Sequence, residues 1–257
     1  MLNGERHIEK TISSVINQNY ERMEYIIIDG GSTDGTIEII KKYQDEIDLW
    51  VSEPDNGIYD AMNKGIGYAT GDLIGIINSD DCYTSGAIET VAKTSVAHPE
   101  ADVFHGNMMY IQKSGIKQIW RSKNKLSKYK IYRMPVNHPT VFIRSSCYKK
   151  YGTYDDRYKF AADFDLILKY LIDHKVSFRY IDGILSIMQA GGTSSELNHR
   201  NLNELEDILV KRNAPALVIL RCKIGYYWLM YIEYIKKNKF IYSIFSLYYN
   251  VRKKYLQ

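Results

Sequence analysis

Two short acidic clusters sit where chemistry is possible. Asp29-Gly30-Gly31-Ser32-Thr33-Asp34-Gly35-Thr36 follows the apolar run Tyr25–Ile28, and Asn78-Ser79-Asp80-Asp81 follows Leu73–Ile77. Each reads as a buried strand that ends in carboxylates and small polar residues. In an open α/β sheet, ligands bind beyond the carboxyl ends of strands. Two such ends can converge on one ligand. Carboxylates there hold a hard divalent cation, which in turn holds phosphate oxygens. Asp80 and Asp81 are neighbours, and adjacent acids repel unless a cation or hydrogen bonds compensate. Together the clusters predict a nucleotide diphosphate bridged by a metal.

Simpler roles exist for the same residues. Gly/Asp/Ser clusters mark turns in many folds, and Ser32, Thr33 and Asp34 are able to cap a following helix. Asp80 and Asp81 are able to cap a helix near Gly86. A third acidic site lies in Ala161-Ala162-Asp163-Phe164-Asp165. Asp163 falls at an expected helix start, where it is either an N-cap or a general base beside a substrate hydroxyl. His138 and His199 are lone histidines, structural by default, although either suits a phosphate or a metal.

The elements that would position these groups alternate. Helices are expected over 5–18, after Gly35, over 58–69 and from Ala162 to His174. Strands are expected at 25–28, 49–51, 72–77, 103–112, 117–121, 139–143, 176–181 and 184–188, with Gly191-Gly192 as a loop. Strand–helix alternation over the first hundred residues predicts a parallel, doubly wound α/β sheet. At 257 residues the chain accommodates one large domain or a domain with an appendage. A net charge of +4 is too small to indicate nucleic acid, and no recognition motif supports it. The three cysteines show neither metal spacing nor a disulfide framework, so a reducing cytosol is expected. The first eighteen residues lack the apolar core of a secretory leader, and no run of about twenty apolar residues predicts a membrane span.

Residues 214–257 have a different character and form a second expected segment after a domain of residues 1–213. They are helical in pattern, crowded with Tyr, Trp, Phe, Leu and Ile, and rich in Lys and Arg. Aromatic residues among basic ones suit a helix lying in a membrane interface. A core-packing helical pair with a solvated basic face is the alternative.

Taken in order, the motifs resemble those of family 2 glycosyltransferases of the GT-A fold, especially those of bacterial surface-polysaccharide biosynthesis. The 29–36 cluster is similar to the family's nucleotide-binding motif. Asp55-Asn56-Gly57-Ile58-Tyr59-Asp60-Ala61-Met62-Asn63-Lys64-Gly65 is similar to its next block. Asn78-Ser79-Asp80-Asp81 resembles its metal-binding DxD segment, with Asn at the first position, and Ala162-Asp163-Phe164-Asp165 falls where it carries a base. The resemblance spans about residues 3–212 and implies inverting transfer of a hexose or N-acetylhexosamine from a nucleotide diphosphate donor, a UDP-sugar first. By carry-over, Asp29, Gly31, Ser32, Asp55, Asn56, Asp60, Asn63, Lys64, Ser79 and Asp80 would surround the nucleotide. Asp80 and Asp81 would hold Mn²⁺ or Mg²⁺, and Asp163 would deprotonate the acceptor. His138, Asp165, Gly191, Gly192, Ser194 and His199 would contact substrate or diphosphate. The acceptor implied is a polyprenyl-diphosphate-linked saccharide on the inner face of the bacterial plasma membrane, as in O-antigen or capsule assembly.

The family also has a strand ahead of Asn3-Gly4-Glu5, and this sequence does not contain it. Either the native start lies upstream, or the chain is an impaired relative acting as a membrane-associated partner. A nucleotidyltransferase would need a Gly-rich basic loop after its first strand, and none is visible.

Overall fold

The computed structural model describes residues 1–124, 126, 134–190 and 199–237. Contacts divide the chain into two compact units, Met1–Ser195 and Glu196–Gln257. The division falls upstream of the expected boundary at Asn213, because the helix His199–Lys211 groups with the helix that follows it.

In the first unit, α1 spans Ile8–Ile16 and buries Ile8, Thr11, Ile12 and Val15. That spacing places all four on one helical face. Burying each apolar member stabilises the fold by about 1.5–3 kcal/mol. The helix starts later than residue 5 for an identifiable reason. The amino groups ahead of it are engaged elsewhere: Met1 donates to the Ile28 carbonyl at 2.7 Å, Asn3 to Ser32 Oγ at 2.7 Å and Gly4 to Thr36 Oγ1 at 2.9 Å. The N-terminal segment is thereby stitched to the first acidic loop.

Strand β1 (Ile26–Asp29) pairs in parallel with β2 (Leu49–Ser52), and α2 (Thr36–Lys42) makes the crossover. Helix α3 covers Ile58–Tyr68. Strand β3 (Leu73–Gly75), β4 (Asp81–Tyr83), α4 (Ala87–Ala97), β5 (Val103–Ile111) and β6 (Lys117–Trp120) follow. Then come β7 (Phe142–Arg144), α5 (Ser145–Tyr151), α6 (Ala162–Leu168) and β8 (Phe178–Gln189). A six-stranded sheet runs β3-β7-β5-β8-β4, with β6 paired to β5. Parallel pairing occurs in β1–β2 and β5–β8, and the remaining pairs are antiparallel.

Further elements depart from the sequence expectation. The strand expected at 139–143 is a 3₁₀ turn, His138–Thr140, followed by β7. The helix expected to reach His174 is α-helical only to Leu168 and ends in a π turn, Lys169–Asp173. The two strands expected around Asp182-Gly183 are one strand, β8, whose register against β5 shifts near His105–Met108. An Asp-Gly pair that looks like a turn sits in the middle of that strand.

Among the described residues of the first unit, β1 pairs only with β2, and β3 pairs only with β7. Ile26, Ile27 and Ile28 on one side and Leu73, Ile74, Ile76 and Ile77 on the other line one cavity of about 1390 Å³. Met1 contributes a single rung beside β1: its nitrogen donates to Ile28 and its carbonyl accepts from Gly30. That is the pattern of a parallel ladder. Burial pushes the Met1 ammonium below its usual pKa, partly offset by Asp55 and Asp29. Strand β3 is also shorter than the expected 72–77.

The second unit contains α7 (His199–Lys211) and α8 (Ala216–Lys237), which pack together and share a Lys223–Glu206 ion pair at 2.7 Å. No helix among the described residues is long and apolar enough to cross a membrane.

Candidate active site

The cavity between β1 and β3 is larger than an ordinary ligand pocket of ~300–1,000 Å³ because two regions merge in it. One is the apolar slot just described. The other is a polar mouth lined by Asp55, Asn56, Asp60, Ser79, Asp80, Asp81, His138 and Asp163. Residues from four segments far apart in sequence thus share one space. Asp29, Gly31, Ser32, Asn63, Lys64 and Asp165 do not line it.

Asp29 ends β1 fully buried. Its Oδ2 accepts from Gly31 N at 3.0 Å, Ser32 N at 2.8 Å and Ser52 Oγ at 2.8 Å, while Oδ1 accepts from Ser32 Oγ. Burial raises its pKa, but the Ser32, Ser52 and Gly31 hydrogen bonds outweigh that and hold it below the ordinary value. The first acidic cluster is therefore a self-satisfied turn. Gly31 has φ of 84°, which glycine adopts freely. At Gly30 a Cβ would lie 2.3 Å from Asp55 Oδ2, so only glycine lets Asp55 lie against the turn. The caps expected from Ser32 and Thr33 are not made. Gly35 is the N-cap of α2, and Asp34 Oδ1 instead accepts from Thr36 N at 3.1 Å.

The second cluster is built differently. Asp81 opens β4 opposite Met188 rather than capping a helix, and Gly86 takes the cap of α4. Thr11 on α1 holds the turn from below, with its hydroxyl 2.8 Å from Ser79 O and 2.7 Å from Asp81 O. The Asp81 carboxyl is fully buried, and neither of its oxygens has a hydrogen-bond partner. Burial, with the adjacent Asp80 charge, pushes its pKa up to about 8. A buried carboxylate without partners is a costly arrangement unless a proton or a cation compensates. Asp80 and Asp81 fit a hard divalent cation in donor type. Among the described residues no group of three His, Cys, Asp or Glu side chains forms a closed cage. Such a cation would therefore complete its shell with diphosphate oxygens and water.

The third site joins α3 to α6. Asp163 lies in the first turn of α6, whose cap is Ala161, so the N-cap role does not apply. Its Oδ1 accepts from Phe164 N at 2.8 Å and from the Tyr59 hydroxyl at 3.3 Å. Tyr59 stacks on Tyr154 with centroids 5.6 Å apart, and the Tyr154 hydroxyl lies 3.1 Å from His138 Nε2. Burial lowers the His138 pKa below its usual value, partly offset by Asp163, so the ring is neutral at neutral pH. Asn63 anchors this cluster through both its amide atoms, donating to Tyr154 O at 2.9 Å and accepting from Tyr154 N at 3.0 Å. Lys64 pairs with Glu53 at 2.8 Å and Asp60 at 3.6 Å, and Asp60 accepts from Asn56 N at 2.9 Å. Asp165 is buried on the inner side of α6.

Gly191, Gly192 and Ser194 lie outside the described residues, as does the side chain of His199, whose backbone opens α7. Tyr59, Tyr154 and Thr11 were missed as site residues. Tyr59 sat in the 55–65 block as a visible signal, whereas Thr11 had none beyond a polar position on an apolar face.

The fold around this cavity is similar to that of solved structures. TarS of S. aureus superimposes with a TM-score of 0.67 at 18% identity, covering 82% of this chain and 38% of that one. A mannosyltransferase from Pyrobaculum calidifontis, solved with GDP-Man and Mn²⁺, gives 0.59 at 17%, covering 85% and 65%. The fold is the GT-A type. The glycosyl transferase family 2 model matches residues 1–152, and the chain belongs to that family. An uncharacterized glycosyltransferase of Mycobacterium tuberculosis is 32% identical over 166 residues, 63% of each chain, so the match spans less than two thirds of that relative. A PGL/p-HBAD biosynthesis glycosyltransferase of Mycobacterium bovis is 25% identical over 191 residues, 72% of this chain and 73% of that one. An uncharacterized glycosyltransferase of Rickettsia typhi is 26% identical over 257 residues, 94% and 79%.

Proposed function

We propose that the chain transfers a sugar from a nucleotide diphosphate donor to a hydroxyl of a saccharide acceptor, inverting the anomeric centre. The observation that carries this is the partnerless, buried Asp81 carboxyl beside Asp80 in the cavity that Asp163 also lines. A divalent ion at Asp80 and Asp81, Mn²⁺ or Mg²⁺, supplies Lewis-acid neutralisation of the departing diphosphate. Asp55, Asn56 and Asp60 wall the donor side of the mouth. Asp29 acts through the turn it holds, which sets Asp55 in place. Asp163 accepts the acceptor hydroxyl proton. The acceptor oxygen bonds to the anomeric carbon from the face opposite the diphosphate. The bond from that carbon to the phosphate oxygen breaks, and its electron pair leaves with the diphosphate.

A UDP-linked hexose or N-acetylhexosamine is the first donor to test, since TarS has been solved with UDP and UDP-GlcNAc, and GDP-mannose is the second. The acceptor we infer is a polyprenyl-diphosphate-linked saccharide of bacterial surface-polysaccharide assembly, met on the cytoplasmic face of the membrane. Support comes from α8, where Leu217, Leu220, Ile224, Tyr227, Trp228, Tyr231 and Tyr234 are all exposed at helical spacing. An exposed stripe of apolar and aromatic side chains of this kind suits a lipid interface. The sequence clusters Lys236–Lys239 and Arg252–Lys254 would add attraction to anionic lipid.

The deciding experiment is donor turnover with Mn²⁺, using a nucleotide-sugar panel and mass spectrometry of the product. Turnover that EDTA abolishes, and that Asp80→Ala loses while the fold is kept, is expected. Absence of turnover with every donor would favour the impaired-relative reading, for which the open slot between β1 and β3 is the specific observation. Co-sedimentation with anionic liposomes, weakened but not lost in high salt, is expected of the full chain. A chain left in the supernatant would remove the membrane role.

A further inference from the structure

The tyrosine at the start of α3 has no role in the reaction outlined above, yet it reaches the proposed base across more than a hundred residues of sequence. Tyr59 is itself buried, and its ring is fixed by stacking on Tyr154. Tyr154 is fixed in turn by the two Asn63 hydrogen bonds to its backbone and by His138 at its hydroxyl. The Tyr59 hydroxyl therefore meets Asp163 Oδ1 from a preset direction. Oδ1 also accepts from Phe164 N. Among the described residues no hydrogen bond reaches Oδ2.

We propose that Tyr59 is a positioning residue for Asp163: it clamps Oδ1 so that Oδ2 is the oxygen presented to the acceptor hydroxyl. This rests on Asp163 being the general base. A carboxylate with one oxygen engaged by two donors cannot rotate freely, and the remaining oxygen keeps its lone pairs for the incoming proton. The titratable groups around Asp163 are Tyr59 from α3, Tyr154 from the segment after α5, and His138 from the turn before β7. Burial raises the Tyr154 hydroxyl well beyond its usual range and lowers His138, so neither carries charge near neutral pH. Asp156 and Lys159 line the same cavity. Tyr59 is thus the neutral donor that acts on the base directly. The 3.3 Å separation is long for such a bond, as is common before a substrate closes the site.

The test compares Tyr59→Phe, Asp163→Asn and a chain carrying 3-fluorotyrosine at position 59, each measured as kcat and donor KM. Phenylalanine keeps the stack on Tyr154 and removes only the hydroxyl. We expect kcat to fall by about tenfold, the loss of one hydrogen bond to a charged group, with donor KM unchanged. The fluorinated ring keeps the stack and the hydroxyl, as a stronger donor, so kcat should not fall with it, even if Tyr59→Phe does not fold. If Asp163→Asn is inactive while Tyr59→Phe keeps the wild-type kcat, or the fluorinated chain loses kcat as Tyr59→Phe does, the positioning role is overturned and the base stands. If Asp163→Asn retains full activity, the base assignment itself fails.

Discussion

The two acidic clusters look alike in sequence and are opposites in the folded chain. Asp29 and Asp81 are both buried, both at strand ends, and both beside small polar residues. Asp29 receives four hydrogen bonds from its own turn and from Ser52. Asp81 receives none. The first carboxylate is held charged below its ordinary pKa, and the second is pushed up to about 8. The difference teaches that a strand-end acid is satisfied within its own scaffold when the backbone beyond it curls back to donate, and keeps its oxygens unpartnered when it does not. At Asp29 the glycines at 30 and 31 permit that curl. At Asp81 the chain instead continues directly into β4; the Asp81 N–H donates to Asn78 O and the Tyr83 N–H to Ser14 Oγ, so neither serves the carboxyl.

The largest effect that would break this contrast is functional. Asp81→Asn should reduce turnover by roughly a hundredfold or more, as for a lost metal or charge-stabilising group, while its melting temperature is unchanged or raised. Asp29→Ala should do the reverse. It leaves Gly31 N, Ser32 N and Ser52 Oγ without their acceptor, at a cost of roughly 3–5 kcal/mol in chemical denaturation, while the Asp80–Asp81 site keeps its affinity for Mn²⁺. Equal stability loss in the two variants would dissolve the distinction.

The contrast also has opposite signs in pH. Under the proposed function, Mn²⁺ binding at Asp81 displaces its proton at neutral pH. Calorimetry in buffers of differing ionisation enthalpy should find proton release on binding, and affinity rising by about tenfold per pH unit up to about pH 8. In the metal-free chain the folded state keeps the Asp81 proton between about pH 4 and about 8, where the unfolded chain has lost it. Stability from this group therefore falls as pH rises across that window, by up to about 1.4 kcal/mol per pH unit. Asp81→Asn should remove that slope. Asp29, with its lowered pKa, contributes stability at neutral pH that is lost only as pH drops below the ordinary carboxylate value. Denaturant melts of both variants from about pH 2 to 9 check both signs.

A smaller effect concerns the wall beside Asp29. A short alternating Val/Ile extension ahead of Met1 would move the buried ammonium away from the β1 edge and offer rungs below the one Met1 makes. We expect the melting temperature to rise by roughly 5 °C, with no change in the pH slope due to Asp81. An unchanged melt would mean that the slot between β1 and β3 does not accept a strand.

Much of this was legible in the residues themselves. Tyr25–Ile28 followed by Asp-Gly-Gly, the Ile8/Ile12/Val15 face, the 55–65 block and the Asp80-Asp81 pair each carry their signal locally, in periodicity or in turn chemistry. The short-range spacing of apolar and acidic residues therefore determined the α/β class and which acids to examine, and the ordered motifs carried the resemblance to the family. Tertiary structure alone decided which acids are satisfied and which are exposed to a ligand. It also decided that Thr11 holds the Ser79–Asp81 turn, that Asn63 serves Tyr154 rather than the cavity, and that Tyr59 meets Asp163. The physical reason is that hydrogen-bond partners and burial are properties of segments brought together from 68 to 104 positions apart. No window of local sequence contains both halves of such a contact.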